Sequence, residues 1–274
     1  ESKAKIAIWC SCFYMSSPIF RYFHYLRCRM GKNREKIFRF KQFAVANDRA
    51  AMKVGTDGVL LGAWAPVKPS DRVLDVGTGC GLIALMLAQR AENASILAID
   101  IDTEAVTEAT ENFANSPWGN RLTARVCDFN SLSFSTEEHP FSLIVSNPPY
   151  FENALTCPDE ARSNARHDTS LNFRAIIRRA SDLLCAGGSL CLVLPAECES
   201  AVVSEAEAVH AQVAQICRVF STTAETQPKR ILVQIIYHSP TPVSTQLSEF
   251  AIEISRHNYT PQYIALTRDF YLKM

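Results

Sequence analysis

The sequence predicts an α/β fold on a doubly wound, mostly parallel sheet. Three observations carry this. From residue 72 onward, short apolar runs of strand length alternate with segments of helical length, which is the rhythm of βαβ units. A glycine-rich turn, Asp75-Val76-Gly77-Thr78-Gly79-Cys80-Gly81, lies directly between a strand and a helix. The last two of the seven strands, 213–220 and 230–238, are separated by only nine residues. That is too few for a crossover helix, so these two pair antiparallel. The expected sheet is seven-stranded, with an antiparallel last strand.

Taken in order, residues 1–35 read as a poorly ordered basic extension and 36–274 as a single domain. Residues 37–45 alternate apolar and polar and read as one strand. Lys53 to Gly58 reads as a loop, with Asp57 as N-cap of a helix through Trp64. Pro66 and Pro69 end that unit. Strand 72–76 leads through the glycine turn into helix 82–90. Strand 96–99 ends at Asp100, and Thr103 caps a helix to about Asn115. Strand 122–127 ends at Asp128, and strand 141–146 ends at Asn147. Helix 173–185 is stopped by Gly187-Gly188. Strand 189–194 and the antiparallel pair follow. Residues 247–254 can add a further strand, and Thr260-Pro261 opens a last helix to Met274, with proline near its first position.

Composition narrows the class. The chain has 274 residues, 47% of them apolar, enough for one large core. Formal net charge is zero, so nothing global advertises nucleic acid. Residues 1–29 hold five basic residues and one acid, so the remainder carries a net charge of −4, the whole chain having 28 of each sign. RNA binding would therefore need a local patch. Residues 21–41 supply one candidate, with eight basic residues against Glu35; a solvated arm is the plainer reading. Met30 is a plausible true start, with 1–29 an upstream extension. The ten cysteines include no CxxC pair, so they read as reduced, apolar thiols with no metal site, and the compartment as cytoplasmic. No run reaches the ~20 apolar residues of a membrane helix.

Two motifs carry chemistry. In the glycine turn, residues without Cβ allow a tight bend and close approach of backbone to a ligand. The free N–H groups of the following helix point at the same place. A nicotinamide or flavin site is the rival reading. The G-x-G-x-G spacing, Asp75 before it, and Asp100 and Asp128 at the ends of the next two strands tilt away from that rival. The second motif is Asn147-Pro148-Pro149-Tyr150, 66 positions after Gly81. Two prolines after a buried strand are costly unless the backbone there must be rigid and extended.

The glycine turn with its three aspartates resembles the class I S-adenosylmethionine-dependent methyltransferases, whose Rossmann-like sheet is the one expected here. That resemblance implies that Asp75, Gly77, Thr78, Gly79 and Gly81 hold the amino acid end of S-adenosylmethionine. Asp100, with Ile101 beside it, would take the ribose hydroxyls. Asp128 would take the adenine amino group, with Phe129 against the ring. A sulfonium carrying an ammonium, a diol and an amine all want acceptors. An exocyclic amine is a poor nucleophile because its lone pair is delocalised. The Asn147 side-chain oxygen and the Pro148 carbonyl would accept its N–H groups and stabilise the charge that develops on nitrogen, while Tyr150 stacks on the base.

The motif alone leaves several acceptors open: adenine in DNA, glutamine in release factors, guanine N2 in rRNA, or adenine N6 in RNA. The flanks narrow this. Residues 40–66, Asn115-Ser116-Pro117-Trp118 and residues 259–274 are similar to the bacterial tRNA(Val) adenosine-37 N6-methyltransferases, over about 37–274. The resemblance implies a tRNA anticodon stem-loop as partner, and Lys53, Gly55 and Thr56 at the cofactor's carboxylate end. It also makes Arg162, Arg166 and Arg174 candidates to hold phosphates, with a solvated helix face as the equal alternative. His167 reads as a surface residue. A monomer is the working expectation, although no sequence feature sets the oligomeric state. A release-factor methyltransferase would need a separate helical substrate domain, for which the roughly 40 residues expected to be ordered before Asp75 leave little room. A non-catalytic RNA-binding protein would not need Asn147 and Tyr150.

Overall fold

The computed structural model describes residues 37–133, 140–149 and 172–274. The proposed extension 1–35, Tyr150, Cys157, Arg162, Arg166 and His167 lie outside the described residues.

The chain opens on a small antiparallel hairpin, β1 (Ile37–Arg39) and β2 (Ala44–Ala46). Helix α1 (Thr56–Trp64) follows. Three βα repeats come next in part: β3 (Arg72–Val76), α2 (Leu82–Arg90), β4 (Ser95–Asp100), α3 (Thr103–Ala114), β5 (Leu122–Val126) and β6 (Phe141–Ser146). Then come α4 (Phe173–Leu183), β7 (Leu184–Pro195), α5 (Glu199–Ala208), β8 (Gln212–Thr222) and β9 (Arg230–Ile236). The described chain closes with β10 (Gln246–Ser255), β11 (Asn258–Tyr259) and α6 (Pro261–Thr267).

Strand order in the main sheet is β11-β10-β8-β9-β7-β6-β3-β4-β5. β9 runs antiparallel to both β7 and β8, as its short connection requires. The expected seven strands are present, and the sheet grows to nine by β10, parallel to β8, and β11, antiparallel to β10. Successive residues of each central strand feed opposite faces. Val73, Leu143, Val145 and Cys191 pack with α1, α2 and Tyr263 of α6. Leu74, Ile144, Leu190 and Leu192 pack with Ile176, Ile177 and Ala180 of α4 and Val202 of α5. The sheet is thus covered on both sides, as doubly wound folds demand.

Local differences from expectation have physical causes. The 37–45 run is a hairpin, not one strand: Phe40 N–H bonds to the Phe43 carbonyl at 2.9 Å, and the two rings stack with centroids 4.6 Å apart. Gly187 and Gly188 do not stop α4, which ends at Leu183; they lie inside β7, where Gly187 takes φ 73° next to a register shift against β6. Helix α3 is capped by Asp102, which accepts from Glu104 N–H at 2.9 Å, and not by Thr103. Helix α1 begins after Gly55, and Asp57 instead pairs with Arg230 at 2.6 Å. Helix α6 spans only Pro261–Thr267, capped by Thr260. Helix α5 had no sequence forecast, because its hydrophobic period is weak. The six described cysteines are all free thiols, and burial pushes that of Cys80 up to about 12.

Candidate active site

The site forms where the C-terminal ends of parallel strands meet the helices that follow, as in other open α/β sheets. β3 ends at Val76, hydrogen-bonded in register with Ser146 at the end of β6. The Ser146 hydroxyl donates to the Val76 carbonyl at 2.8 Å. That bond fixes the Asn147 turn beside the glycine turn.

Gly77, Gly79 and Gly81 all take positive φ (69°, 54° and 83°), a region L side chains rarely occupy. At Gly81 space is also refused: a Cβ there would lie 2.5 Å from the Phe113 ring. Gly79 is the opposite case, with only the Ala50 Cβ near it, at 4.0 Å. Its open face leaves backbone accessible to a ligand. Gly77 and Thr78 N–H groups both bond to the Ile99 carbonyl, and Gly79 N–H donates to Asp100 Oδ2 at 2.9 Å. The loop is therefore moored to β4.

Three acids ring this turn. Asp75 is fully buried, and Thr78 Oγ1 donates to its Oδ2 at 2.7 Å. Burial raises its pKa to about 7; the Thr78 hydroxyl opposes the shift and the Asp100 carboxylate adds a little to it. Asp100 accepts from Gly79 and from Asp102 N–H, which leaves lone pairs on both oxygens for a ligand. Asp128 accepts from Asn130 N–H at 2.9 Å and so caps a single 3₁₀ turn that buries Phe129.

A cavity of about 440 Å³ brings together Gly77, Gly79, Asp100, Ile101, Asp128, Phe129, Asn147 and Pro149. That is within the usual size of small-molecule sites. Ile101 is exposed and lines it, an apolar side chain on the cavity wall. Asn147 is half-buried and Pro148 buried. The set offers carboxylates for a diol, an amine and a cation, and apolar walls for a flat ring, so the residues present fit S-adenosylmethionine. A larger hollow of about 640 Å³, lined by Lys41, Gln89, Arg90 and Asp269, holds none of these acids.

The cavity has one wall that sequence reasoning did not find. Ala51 and Met52 close it from a strap formed by residues 46–53. Glu108, buried on α3, accepts from the N–H groups of Asp48 (2.7 Å), Arg49 (3.0 Å) and Ala50 (3.0 Å). Asn112, one turn on, bonds to Ala46 N–H and carbonyl and donates to the Cys80 carbonyl at 2.8 Å. One helix thus holds strap and glycine turn together. Polar residues at i and i+4 between Ala105, Ala109 and Phe113 were the available signal. Lys53 lies at the strap's end, donating to the Asp48 and Ala50 carbonyls. Neither it nor Gly55 lines the cavity, and Thr56 lines a different hollow. Arg174 pairs with buried Glu205 across α4 and α5. Among the described residues no cluster of three His, Cys, Asp or Glu could hold a metal, and no helix is long and apolar enough to cross a membrane.

This fold and site define a class I S-adenosylmethionine-dependent methyltransferase, and residues 52–221 match the family model described as Methyltransferase small domain. Solved methyltransferases share the fold. A protein described as a predicted O-methyltransferase from Agrobacterium tumefaciens superposes with a TM-score of 0.60 at 21% identity, over 78% of this chain and 96% of its own. Pyrococcus horikoshii TYW2, solved with MeSAdo, gives 0.54 at 12% identity, over 75% and 72%. More specific are the curated relatives named tRNA1(Val) (adenine(37)-N6)-methyltransferase. That of Bacteroides fragilis is 42% identical over 88% of this chain and 99% of its own length. That of Serratia proteamaculans is 44% identical over 86% and 89%. The chain belongs to this tRNA1(Val) (adenine(37)-N6)-methyltransferase family.

Proposed function

We propose that the protein methylates N6 of adenosine 37 in tRNA(Val), acting as a monomer on the anticodon stem-loop. The observation that carries the proposal is the joint lining of one cavity by Asn147 and Pro149 with the glycine turn and the strand-end acids. Acceptor clamp and donor cradle share one space. Family membership along nearly the whole length of the relatives supports the choice of adenosine 37.

S-adenosylmethionine supplies the methyl group when bound. Asp100 and Asp128 would hold its ribose and adenine ends, and these two carboxylates with Asp102 on the cavity wall favour its positive charge. Ala51, Met52 and Ile101 exclude water from its flat parts. The side-chain oxygen of Asn147 and the Pro148 carbonyl accept the two N–H groups of the acceptor amine. They orient its nitrogen and stabilise the positive charge that grows on it. The nitrogen then loses one proton; since the methylated ammonium is acidic, water suffices and no buried base is required. Adenosine 37 reaches the pocket by leaving the loop's stack.

The test is incubation of purified protein and donor with bulk tRNA lacking the modification, followed by nucleoside mass spectrometry. N6-methyladenosine is expected, with turnover falling ~10²-fold in Asn147→Ala, as for loss of one charge-stabilising acceptor. Methylated release factor without methylated nucleoside, or near-normal turnover in Asn147→Ala, would refute the reading.

A further inference from the structure

A second hollow, of about 530 Å³, lies apart from the donor cavity, toward the β10–β11 end of the sheet. Its walls include Phe38 and Arg39 of β1, Tyr259 at the end of β11, Tyr263 of α6, and Tyr271 and Lys273 beyond it. Strand directions place it on the same rim as the active site. β10 is parallel to β8, β8 and β7 are both antiparallel to β9, and β7 is parallel to β6. The C-terminal end of β10, whose Glu253 lines the hollow, therefore emerges on the same side as Asn147 after β6. The two sites are also close along the chain. Met52 lines the donor cavity and Thr56 lines the hollow, and four residues reach at most ~14 Å.

The hollow is aromatic and preformed. Phe38 is 38% exposed yet held by its neighbours, with ring centroids 4.8 Å from Phe40 and 6.2 Å from Tyr271. Tyr259 and Tyr263 rings lie 5.3 Å apart, and the hydroxyls of Tyr263 and Tyr271 are 3.5 Å apart. Flat apolar faces are thus lined with hydroxyl groups. Arg39 and Lys273 are exposed at its edge. The one carboxylate side chain in the wall, Glu253, accepts from His257 N–H. Arg39 also belongs to the basic run 21–41, the densest in a sequence whose remainder is acidic. Exposed aromatic faces beside cations are the usual means of holding unpaired nucleotides, whose bases stack while their phosphates meet the charges.

We propose that this hollow receives an unpaired base of the anticodon loop, flanking the adenosine that enters the active site. Phe38 stacks on the base, and Arg39 and Lys273 meet the adjoining phosphates. The inference rests on the tRNA reading above, and it gives the loop a second point of attachment on the same rim. An aromatic hollow could alternatively seat a second copy of the chain, and the test separates the two.

The experiment measures binding of a fluorescein-labelled anticodon stem-loop by anisotropy, alongside steady-state methylation of tRNA and calorimetric titration of S-adenosylmethionine. In Phe38→Ala, RNA affinity falls roughly tenfold or more, the range of one lost base–aromatic stack. KM for tRNA rises in parallel, while kcat stays within about twofold and donor affinity is unchanged. Phe38→Trp restores RNA binding, which a mere folding defect in the alanine variant would not explain. In Arg39→Ala the slope of log affinity against log salt drops by about 1. RNA affinity and KM at wild-type values in both Phe38→Ala and Tyr259→Ala would overturn the proposal. So would a change of oligomeric state in Phe38→Ala, read by light scattering, with RNA binding intact. Should the wild type methylate no tRNA, the reading of the active site fails, while anisotropy still decides the hollow.

Discussion

Asp75 sits at the most costly position in the site. A carboxylate with no exposure keeps its proton up to about pH 7, because burial penalises the charge more than the Thr78 hydroxyl relieves it. Linkage then sets the sign. Between the ordinary carboxylate value of 3.8 and about 7 the native state binds more protons than the unfolded chain, so this group's contribution to stability falls as pH rises through that window. Below it the contribution is flat, and above it the full cost of a buried charge is present. Asp75→Asn removes the titration. The urea midpoint of the variant minus that of wild type should therefore grow between pH 4 and pH 7; a difference that stays constant with pH would show that Asp75 is ionised throughout. Asp75, Asp100 and Asp128 were legible because each lies within two residues of a strand's C-terminal end, where an acid stands out against apolar neighbours. Glu108 and Asn112 left only their i, i+4 placement among apolar neighbours as a signal, and that placement does not reveal the strap arriving from 60 residues earlier.

Among the elements, α3 does more than cover the sheet. Three of its side chains hold the strap: Glu108 and Asn112 as described, and Glu111 through paired bonds to the Arg49 guanidinium at 3.0 and 3.1 Å. Glu108→Ala would leave three strap N–H groups without their acceptor, at ~1–3 kcal/mol for each that stays dry. We expect a lower melting temperature and donor affinity weakened by about tenfold or more, since Ala51 and Met52 lose their placement. Glu108→Gln, which keeps one acceptor oxygen, should fall between. Calorimetric affinity equal to wild type in the alanine variant would show that the strap does not shape the cavity. The hairpin at 37–46 escaped sequence reading for a related reason. Its alternation is that of a strand, and only the stacking of Phe40 on Phe43 reveals the reversal. Gly187-Gly188 matched a helix stop, yet tertiary pairing draws those glycines into β7 as a bulge.

In the molecule as a whole, strand order determines what meets what. The reversal between β3, leading on to β4, and β6 creates the crevice in which glycine turn and Asn147 face one cavity. The parallel pairing and the antiparallel last strand were legible in the sequence, from the βαβ rhythm and the short connection before β9, whereas the strand order was not forecast. The extension was foreseen only as a possible strand at 247–254 and not at all for β11, since edge strands carry polar residues and weak patterns, as Glu249, Glu253 and Ser255 do here. That extension carries Tyr259 to the rim on which β6 ends at Ser146. The central claim is that this rim delivers a methyl group to a single exocyclic amine. The most direct measurement is fragment mass mapping of an unmodified tRNA(Val) transcript after reaction with protein and donor, beside a transcript with guanosine at position 37. One added methyl on adenosine 37 of the first, and none on the second, is the predicted result. A methyl at any other nucleotide, or equal labelling of both transcripts, would contradict it.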